Sequence, residues 1–370
     1  MRVLVVGAGI LGASAAYHLA SLGVQVDIVD EAHQGKATMA GAGIICPWAT
    51  KIDEPEWYRM YASGARYYET LIGGLTARGE RDLGYGKVGA LVVAEDPAEL
   101  AAARARIARR VAQAPEAGAV RDLTPAEAQA LFPPLRDDLE AVYIPGGARV
   151  DARLLAAAMI RAAVTMGASY RHDRVTLALD GGKARAIDSA GKTLVADEII
   201  LAGGAWAPEI LRPLGIDHPV APQKGQIVHL RLPGIATAAW PVLLPMSSHY
   251  MLTFDDSRVV IGATREDGSG FDYRVTAAGQ HEVLSAGLAI APGLAHATHI
   301  ETRIGFRPFT PQHRPILGRI PGIDGLTVGN GLGAAGLTIG PFAGKLLADL
   351  VAERPLEIAL APYAPGAGAA

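Results

Sequence analysis

Cysteine is almost missing from this chain: Cys46 is the only one in 370 residues. That excludes an internal disulfide framework and any cysteine-cluster metal or iron–sulfur site. A basic excess is missing too. Lys and Arg total 34 against 37 Asp and Glu, a formal charge of -3, so nothing argues for a nucleic-acid partner. The ten histidines show no ligand spacing, and there is no HExxH motif, EF-hand loop or Ser-His-Asp constellation, so no metal is expected. Glycine and proline are plentiful instead, 44 and 24 residues, together 68 of 370. They follow no period, which excludes collagen and does not suggest bulk disorder. Half of the chain is hydrophobic and 19% is charged, enough for one large core or two ordinary ones.

Val3 to Val26 contains no Asp, Glu, Lys or Arg and so imitates a signal peptide or a membrane span. Glycines at 7, 9 and 12, then His18, Ser21, Gly23 and Gln25, break that reading. A strand over 2–6, a helix over 13–22 stopped by Gly23 and a strand over 24–30 fit better. Further on, helices are expected over 57–75, over 97–114, from the Thr124 cap to before Pro133, and from the Asp151 cap to Met166. A hairpin is expected around Asp180-Gly181-Gly182, a buried strand at 199–202, and antiparallel strands over 249–254 and 259–262. One more helix is expected near 276–291 and a last one from about Pro341 to Val351, with a frayed tail after Pro362. Parallel-sheet signals fall at the beginning, middle and end of the chain. The expected class is therefore α/β, a Rossmann-like nucleotide-binding domain over 1–45, 150–209 and 316–370. Interleaved with it is an α+β domain over 46–149 and 210–315, built on a mixed or antiparallel sheet.

Gly7-Ala8-Gly9-Ile10-Leu11-Gly12 matches GxGxxG between a strand and a helix, and Asp30 ends the next strand. In that context the motif points to a dinucleotide. Gly7 allows the turn, Gly9 lets backbone approach the pyrophosphate, Gly12 packs helix on sheet, and the helix N-terminus faces phosphate charge. Asp30, or Glu31 in its place, accepts from a ribose diol. A second glycine-rich segment, Gly329 to Thr338, can pass a flat ring at backbone distance; the other reading is a turn before a packed helix.

With these pieces on the page, the chain resembles the D-amino acid oxidase family of FAD-dependent oxidoreductases, nearest to its glycine oxidase and bacterial D-amino acid dehydrogenase branches. The likeness rests on Val6–Gly12 with Asp30, on Ala40–Gly43 and on Leu201–Trp206. It rests also on Gly305–Pro311 with Pro315–Gly318, and on Gly329–Thr338. It implies FAD, held non-covalently because the only cysteine lies far too early to attach it. The implied cofactor contacts are Gly7, Gly9, Ile10, Leu11, Gly12, Asp30, Glu31, Ala40, Gly41, Ala42, Gly43, Val175, Gly203, Gly204 and Trp206. Gly331, Leu332, Gly333, Ala334, Ala335, Gly336, Leu337 and Thr338 complete them.

On the substrate side, Arg307 sits between Phe306 and Pro308, where a charge needs a partner, and its fork suits a carboxylate. The resemblance implies that role for Arg307, assisted by the Tyr250 hydroxyl. Trp48, Met246 and Met251 are expected in the pocket wall, and His249 on the opposite face from Tyr250. The expected activity is oxidative deamination of a neutral or hydrophobic D-amino acid to a 2-oxo acid and ammonia, by hydride transfer to the flavin. Alternatives are a glycine or sarcosine oxidase, or a catalytic subunit of an amino-acid or opine dehydrogenase complex. Oxygen and quinone stay open as electron acceptor, as do chirality and self-association. The expected location is the cytoplasm, with peripheral contact at the inner face of the membrane also open.

Overall fold

The computed structural model describes residues 1–367. Its first strand, Arg2–Val6, pairs in parallel with Gln25–Asp30 on one side and Glu198–Leu201 on the other. The helix that follows it runs Ile10–Ser21, three residues ahead of the expected start. Two glycines set this junction. Gly7 sits at φ +103°, and a Cβ there would lie 2.3 Å from the Ala202 carbonyl oxygen. A Cβ on Gly12 would lie 1.9 Å from the Gly7 oxygen. Only glycine lets strand, turn and helix come this close.

The strand order of the first sheet is Ile316–Arg319, Leu326–Asn330, Glu198–Leu201, Arg2–Val6, Gln25–Asp30 and Ser169–His172. All neighbours are parallel except the first pair. The expected hairpin is present as Val175–Asp180 and Lys183–Asp188. Helices Ile10–Ser21, Ala152–Thr165 and Gly336–Val351 pack with this sheet in one core. The predicted caps form: Thr124 and Glu127 make a capping box, and Asp151 accepts from the Arg153 N–H. Helix Pro55–Ala77 falls in sequence with the second unit, yet Trp57, Met60, Tyr68, Leu71 and Leu75 bury their side chains in this first core.

The second sheet has eight strands in the order Thr298–Phe309, Ala221–Arg231, Arg258–Gly262, Tyr250–Thr253, Val242–Pro245, Ala90–Val93, Ala141–Ile144 and Arg121–Leu123. It is mixed, with a parallel pair where Val242–Pro245 meets Ala90–Val93. The strands Ala221–Arg231 and Thr298–Phe309 pair along nearly their whole length, setting Arg307 opposite Gln223 and Gly305 opposite Gly225.

The final helix departs from expectation. It starts at Gly336 and carries Pro341 inside it. Proline has no N–H for the carbonyl four residues back, so Leu337 loses its helical donor. The hydroxyl of the fully buried Tyr68 donates to that carbonyl instead. Ser14 Oγ donates to the Pro341 carbonyl at 2.6 Å. By length and composition Gly333–Val351 could cross a membrane, but 72% of it is buried inside the protein. It is a core helix. The tail is not wholly frayed either: Tyr363 is buried and donates to the Glu56 carbonyl at 2.8 Å, while the last three residues lie outside the described range.

Candidate active site

A cleft of about 890 Å³ is lined from both sheets, near the top of the roughly 300–1,000 Å³ usual for ligand and cofactor sites. One end is built by the turn after the first strand. Gly9 caps the first helix with no side chain of its own, and no acid lies in the helix's first turn; Thr38 Oγ1 accepts from the Ile10 N–H at 3.0 Å, and the next N–H groups of that turn are the ones available to an anion. Asp30 ends the second strand, 4% exposed. It accepts from the Ala8 N–H at 2.6 Å, the Ala32 N–H at 2.7 Å and Lys36 Nζ at 2.8 Å. Burial alone would raise its pKa; Lys36 and the two N–H donors outweigh that and hold it below the usual carboxylate range. Glu31 lines the same end with an exposed side chain.

The middle of the cleft is backbone. Ala40, Gly41, Ala42 and Gly43 line it from one direction, Gly203, Gly204 and Trp206 from a second, and Gly331 through Leu337 from a third. Gly204 (φ +54°) and Gly333 (φ +50°) would each point a Cβ into open space. Their lack of side chains leaves room for a flat group rather than for packing. Val175 also lines the cleft, as do Gly7, Gly9, Ile10 and Leu11. Two expected residues do not. Gly12 is spent on packing helix against strand, and Thr338 is buried in the first turn of the final helix, its hydroxyl donating to the Ile44 carbonyl at 2.9 Å.

The second sheet brings Arg307 and Tyr250 to the far end. They stand on strands separated by two others, and both lie flat over glycines. A Cβ on Gly225 would be 2.7 Å from Arg307 Nη1 and Nη2, and one on Gly262 would be 2.6 Å from the Tyr250 hydroxyl. Arg307 Nη1 donates to the Thr264 carbonyl at 3.1 Å and to Gln223 Oε1 at 3.4 Å. Tyr250 is its other polar neighbour, and no carboxylate among the described residues comes within ion-pair distance of Arg307. Burial pulls the pKa of this guanidinium below its usual value; Tyr250 opposes that and the charge of Arg265 adds to it. Burial pushes the Tyr250 hydroxyl up, against Arg307 and Arg265.

Met246 lines the cleft, but Met251 and Trp48 do not, contrary to expectation. Met251 follows Tyr250 directly on a strand, so alternation turns it to the other face, where it packs with Leu243 and Ile261. Trp48 sits in the Pro47–Ala49 turn, 4% exposed in the core with Ala117 and Ile144. Arg110, donating to the Trp48 carbonyl at 3.1 Å, holds that turn. His249 precedes the Tyr250–Thr253 strand, so strand alternation does not govern it; it borders the cleft, with its ring 3.4 Å from Glu282. Cys46 reaches the cleft wall despite its early position, its thiol pushed up to about 12 by burial.

Sequence reading missed Arg265, Lys51, Gln223 and Ile227 in the wall. A signal was present for part of this. Gly225 lies inside the Ala221–Arg231 strand and Gly262 closes the apolar Val259–Ile261 run, and glycine in a strand often marks a close approach.

The chain matches the family model described as FAD dependent oxidoreductase over residues 2–350. A crystal structure of iminodiacetate oxidase from Chelativorans sp. BNC1 is 66% identical, with 98% of this chain and 99% of that one covered and a TM-score of 0.97. A glycine oxidase from Pseudomonas aeruginosa is 31% identical over 98% of both chains. The crystal structure of glycine oxidase from Geobacillus kaustophilus, 29% identical, superposes over 98% of both chains with a TM-score of 0.88.

Proposed function

The chain belongs to the FAD dependent oxidoreductase family, and from that premise we propose that it oxidises the carbon–nitrogen bond of a glycine-type amino acid. That class is glycine itself or a glycine substituted on nitrogen. FAD, when bound, supplies the two-electron acceptor for a hydride leaving the substrate's α carbon. The residues that would hold it are the first-helix turn with Asp30 for the nucleotide half, and the backbone of 40–43, 203–204 and 331–337 for the ring.

Arg307 carries the reading. It is a guanidinium on the cleft wall with no carboxylate of its own, and a substrate carboxylate completes it through a charge-assisted, two-point contact. Tyr250 adds a hydroxyl to the same oxygen pair. The substrate nitrogen must give its lone pair to the new C=N bond, so it has to be bound as the free amine. The acids lining the cleft are Asp30, Glu31 and Asp173. All belong to the nucleotide end, where the Asp173 N–H donates to the Asp30 carbonyl at 3.1 Å. The cationic far end therefore disfavours ammonium. The imine released is hydrolysed by water to glyoxylate and the freed amine, which is ammonia when glycine is the substrate.

The named activities of the relatives, glycine oxidase and iminodiacetate oxidase, act on glycine or on a glycine carrying a second arm on nitrogen, and they favour this class over a D-amino acid. The D-amino acid reading keeps one observation in its favour, the apolar wall of Ile227, Leu244 and Met246. We put oxygen ahead of quinone as acceptor because those relatives are named oxidases. The test is anaerobic bleaching of the holoenzyme with glycine, sarcosine, iminodiacetate, L-proline and a panel of D-amino acids, followed by admission of oxygen or a quinone analogue. Bleaching by D-alanine or D-leucine but by no glycine-type amine overturns the proposal in favour of the second reading.

A further inference from the structure

We propose that Asn330 is a positioning residue for the flavin: its carboxamide ties together the two glycine walls that face the ring, and His218 fixes the direction in which that carboxamide points. This rests on the placement of the ring against 203–204 and 331–337 given above, and adds the group that holds those walls at a fixed separation.

Asn330 ends the Leu326–Asn330 strand, is buried, and borders the cleft. The neighbouring strand, Glu198–Leu201, pairs with it as far as Leu201 opposite Val328. Past that point the two chains leave the sheet as the two walls. Asn330 bridges them there: its Nδ2 donates to the Gly204 carbonyl at 3.0 Å, and its Oδ1 accepts from the Gly331 N–H at 2.8 Å. Gly204 (φ +54°) and Gly331 (φ +69°) are both left-handed. Gly204 has no side chain with which to pack, so the carboxamide holds by hydrogen bonding what packing does not hold.

The two contacts settle which way the amide faces. Reversed, it would set an oxygen against the Gly204 carbonyl and an N–H against the Gly331 N–H. The second Nδ2 hydrogen is left for His218 Nε2, 3.1 Å away, so that nitrogen accepts and the imidazole proton sits on Nδ1. Burial holds the pKa of His218 at about 4, against the pull of Asp217, so the accepting lone pair is free at neutral pH. His218 stands between the Arg212–Leu214 turn and the Ala221–Arg231 strand, where the chain crosses from the first sheet to the second. One buried cluster thus links both ring walls to the strand that carries Gln223 and Gly225 into the substrate end. Walls clamped before the cofactor arrives bind it without the cost of ordering loops.

The test follows release of FAD from diluted holoenzyme by the rise in flavin fluorescence, together with the visible absorption of the bound flavin. Asn330→Asp keeps the shape and the contact to the Gly331 N–H but presents an oxygen to the Gly204 carbonyl. It should release FAD about 5- to 100-fold faster and shift the visible bands. His218→Phe removes the acceptor and should speed release by a smaller factor, and His218→Gln, whose amide oxygen accepts, should recover part of that. A release rate within threefold of wild type in Asn330→Asp overturns the proposal, even where the melting temperature falls, because Asn330 then serves the fold alone. Faster release with unshifted bands overturns it too, because the surroundings of the ring have not moved. Where Asn330→Asp does not fold, the His218 pair decides: release from His218→Phe no faster than from His218→Gln overturns the proposal. The premise fails separately. Gly204→Ala adds a Cβ where no protein atom lies within 4 Å, in the space assigned to the ring, and FAD retention equal to wild type in that variant removes the ring from that wall.

Discussion

Replacing Gly225 by alanine should disable substrate binding without touching any group that contacts substrate. Gly225 lies within the Ala221–Arg231 strand, a backbone that alanine adopts readily. The obstacle is Arg307. The new methyl carbon would stand 2.7 Å from both Nη1 and Nη2, whereas ordinary contact begins at 3.4 Å. The guanidinium must therefore withdraw by about 0.7 Å, since the Cβ is fixed to a strand paired on both sides. That displacement breaks or stretches the 3.1 Å contact with the Thr264 carbonyl and turns the fork away from the position a carboxylate would take. A charged hydrogen bond is worth about 1.5–3 kcal/mol, which is roughly 10- to 150-fold in substrate dissociation constant. Misplacement of the reacting carbon adds a loss in reduction rate. Anaerobic stopped-flow reduction over a range of substrate concentrations separates the two effects. Gly73→Ala is the control: that helical glycine has nothing within 4 Å of its added Cβ and should behave as wild type. If Gly225→Ala reduces its flavin with wild-type affinity and rate, Arg307 does not hold the substrate from where it stands.

Arg307→Leu should raise the substrate dissociation constant by 10² or more while leaving FAD bound; a change under threefold in titration would refute its role. Asp30→Asn removes the charge that Lys36 and two N–H groups stabilise and should weaken FAD retention about tenfold or more on gel filtration, with little effect on the rate of whatever holoenzyme remains. Tyr68→Phe orphans the Leu337 carbonyl beside Pro341 and should cost about 1–3 kcal/mol, seen as earlier unfolding in a denaturant titration; no shift would mean that water replaces the hydroxyl freely. Burial holds His18 and His218 at about 4 and His229 at about 3, below the unfolded value near 6.5. Their stabilising contribution is complete above that value. It falls as pH drops toward 4, by about 1.4 kcal/mol per pH unit for each. A melting temperature equal at pH 7 and pH 5 would refute this.

The first half of the site was legible because its chemistry is local. GxGxxG, the strand ending at Asp30 and the late glycine run each declare themselves within a few residues. The Thr124 and Asp151 caps did the same for their helices. The substrate end was legible only through Arg307 and Tyr250, since which strands meet is a long-range fact. Met251 beside Tyr250 was misplaced through neglect of strand alternation, and Trp48 through its sequence position near a glycine loop. Pro341 looked like a helix start because proline's missing N–H is usually harmless there. Nothing in the nearby sequence says that Tyr68, 273 residues earlier, provides the lost donor. Arg265 could not be singled out among the chain's other arginines until Thr264 was seen against Arg307.

The chain order of the cleft has a consequence for biosynthesis. Its walls come from residues near 10, 40, 200, 265, 307 and 335, and the first strand gains its second neighbour only at Glu198–Leu201. A ribosome must release almost the whole polypeptide before the cradle exists, so cofactor capture is a post-translational event. Such long-separation pairing also makes folding slow and leaves an apolar strand edge uncovered meanwhile. A transcript truncated before codon 330 should yield colourless, aggregation-prone protein however much riboflavin the cell contains.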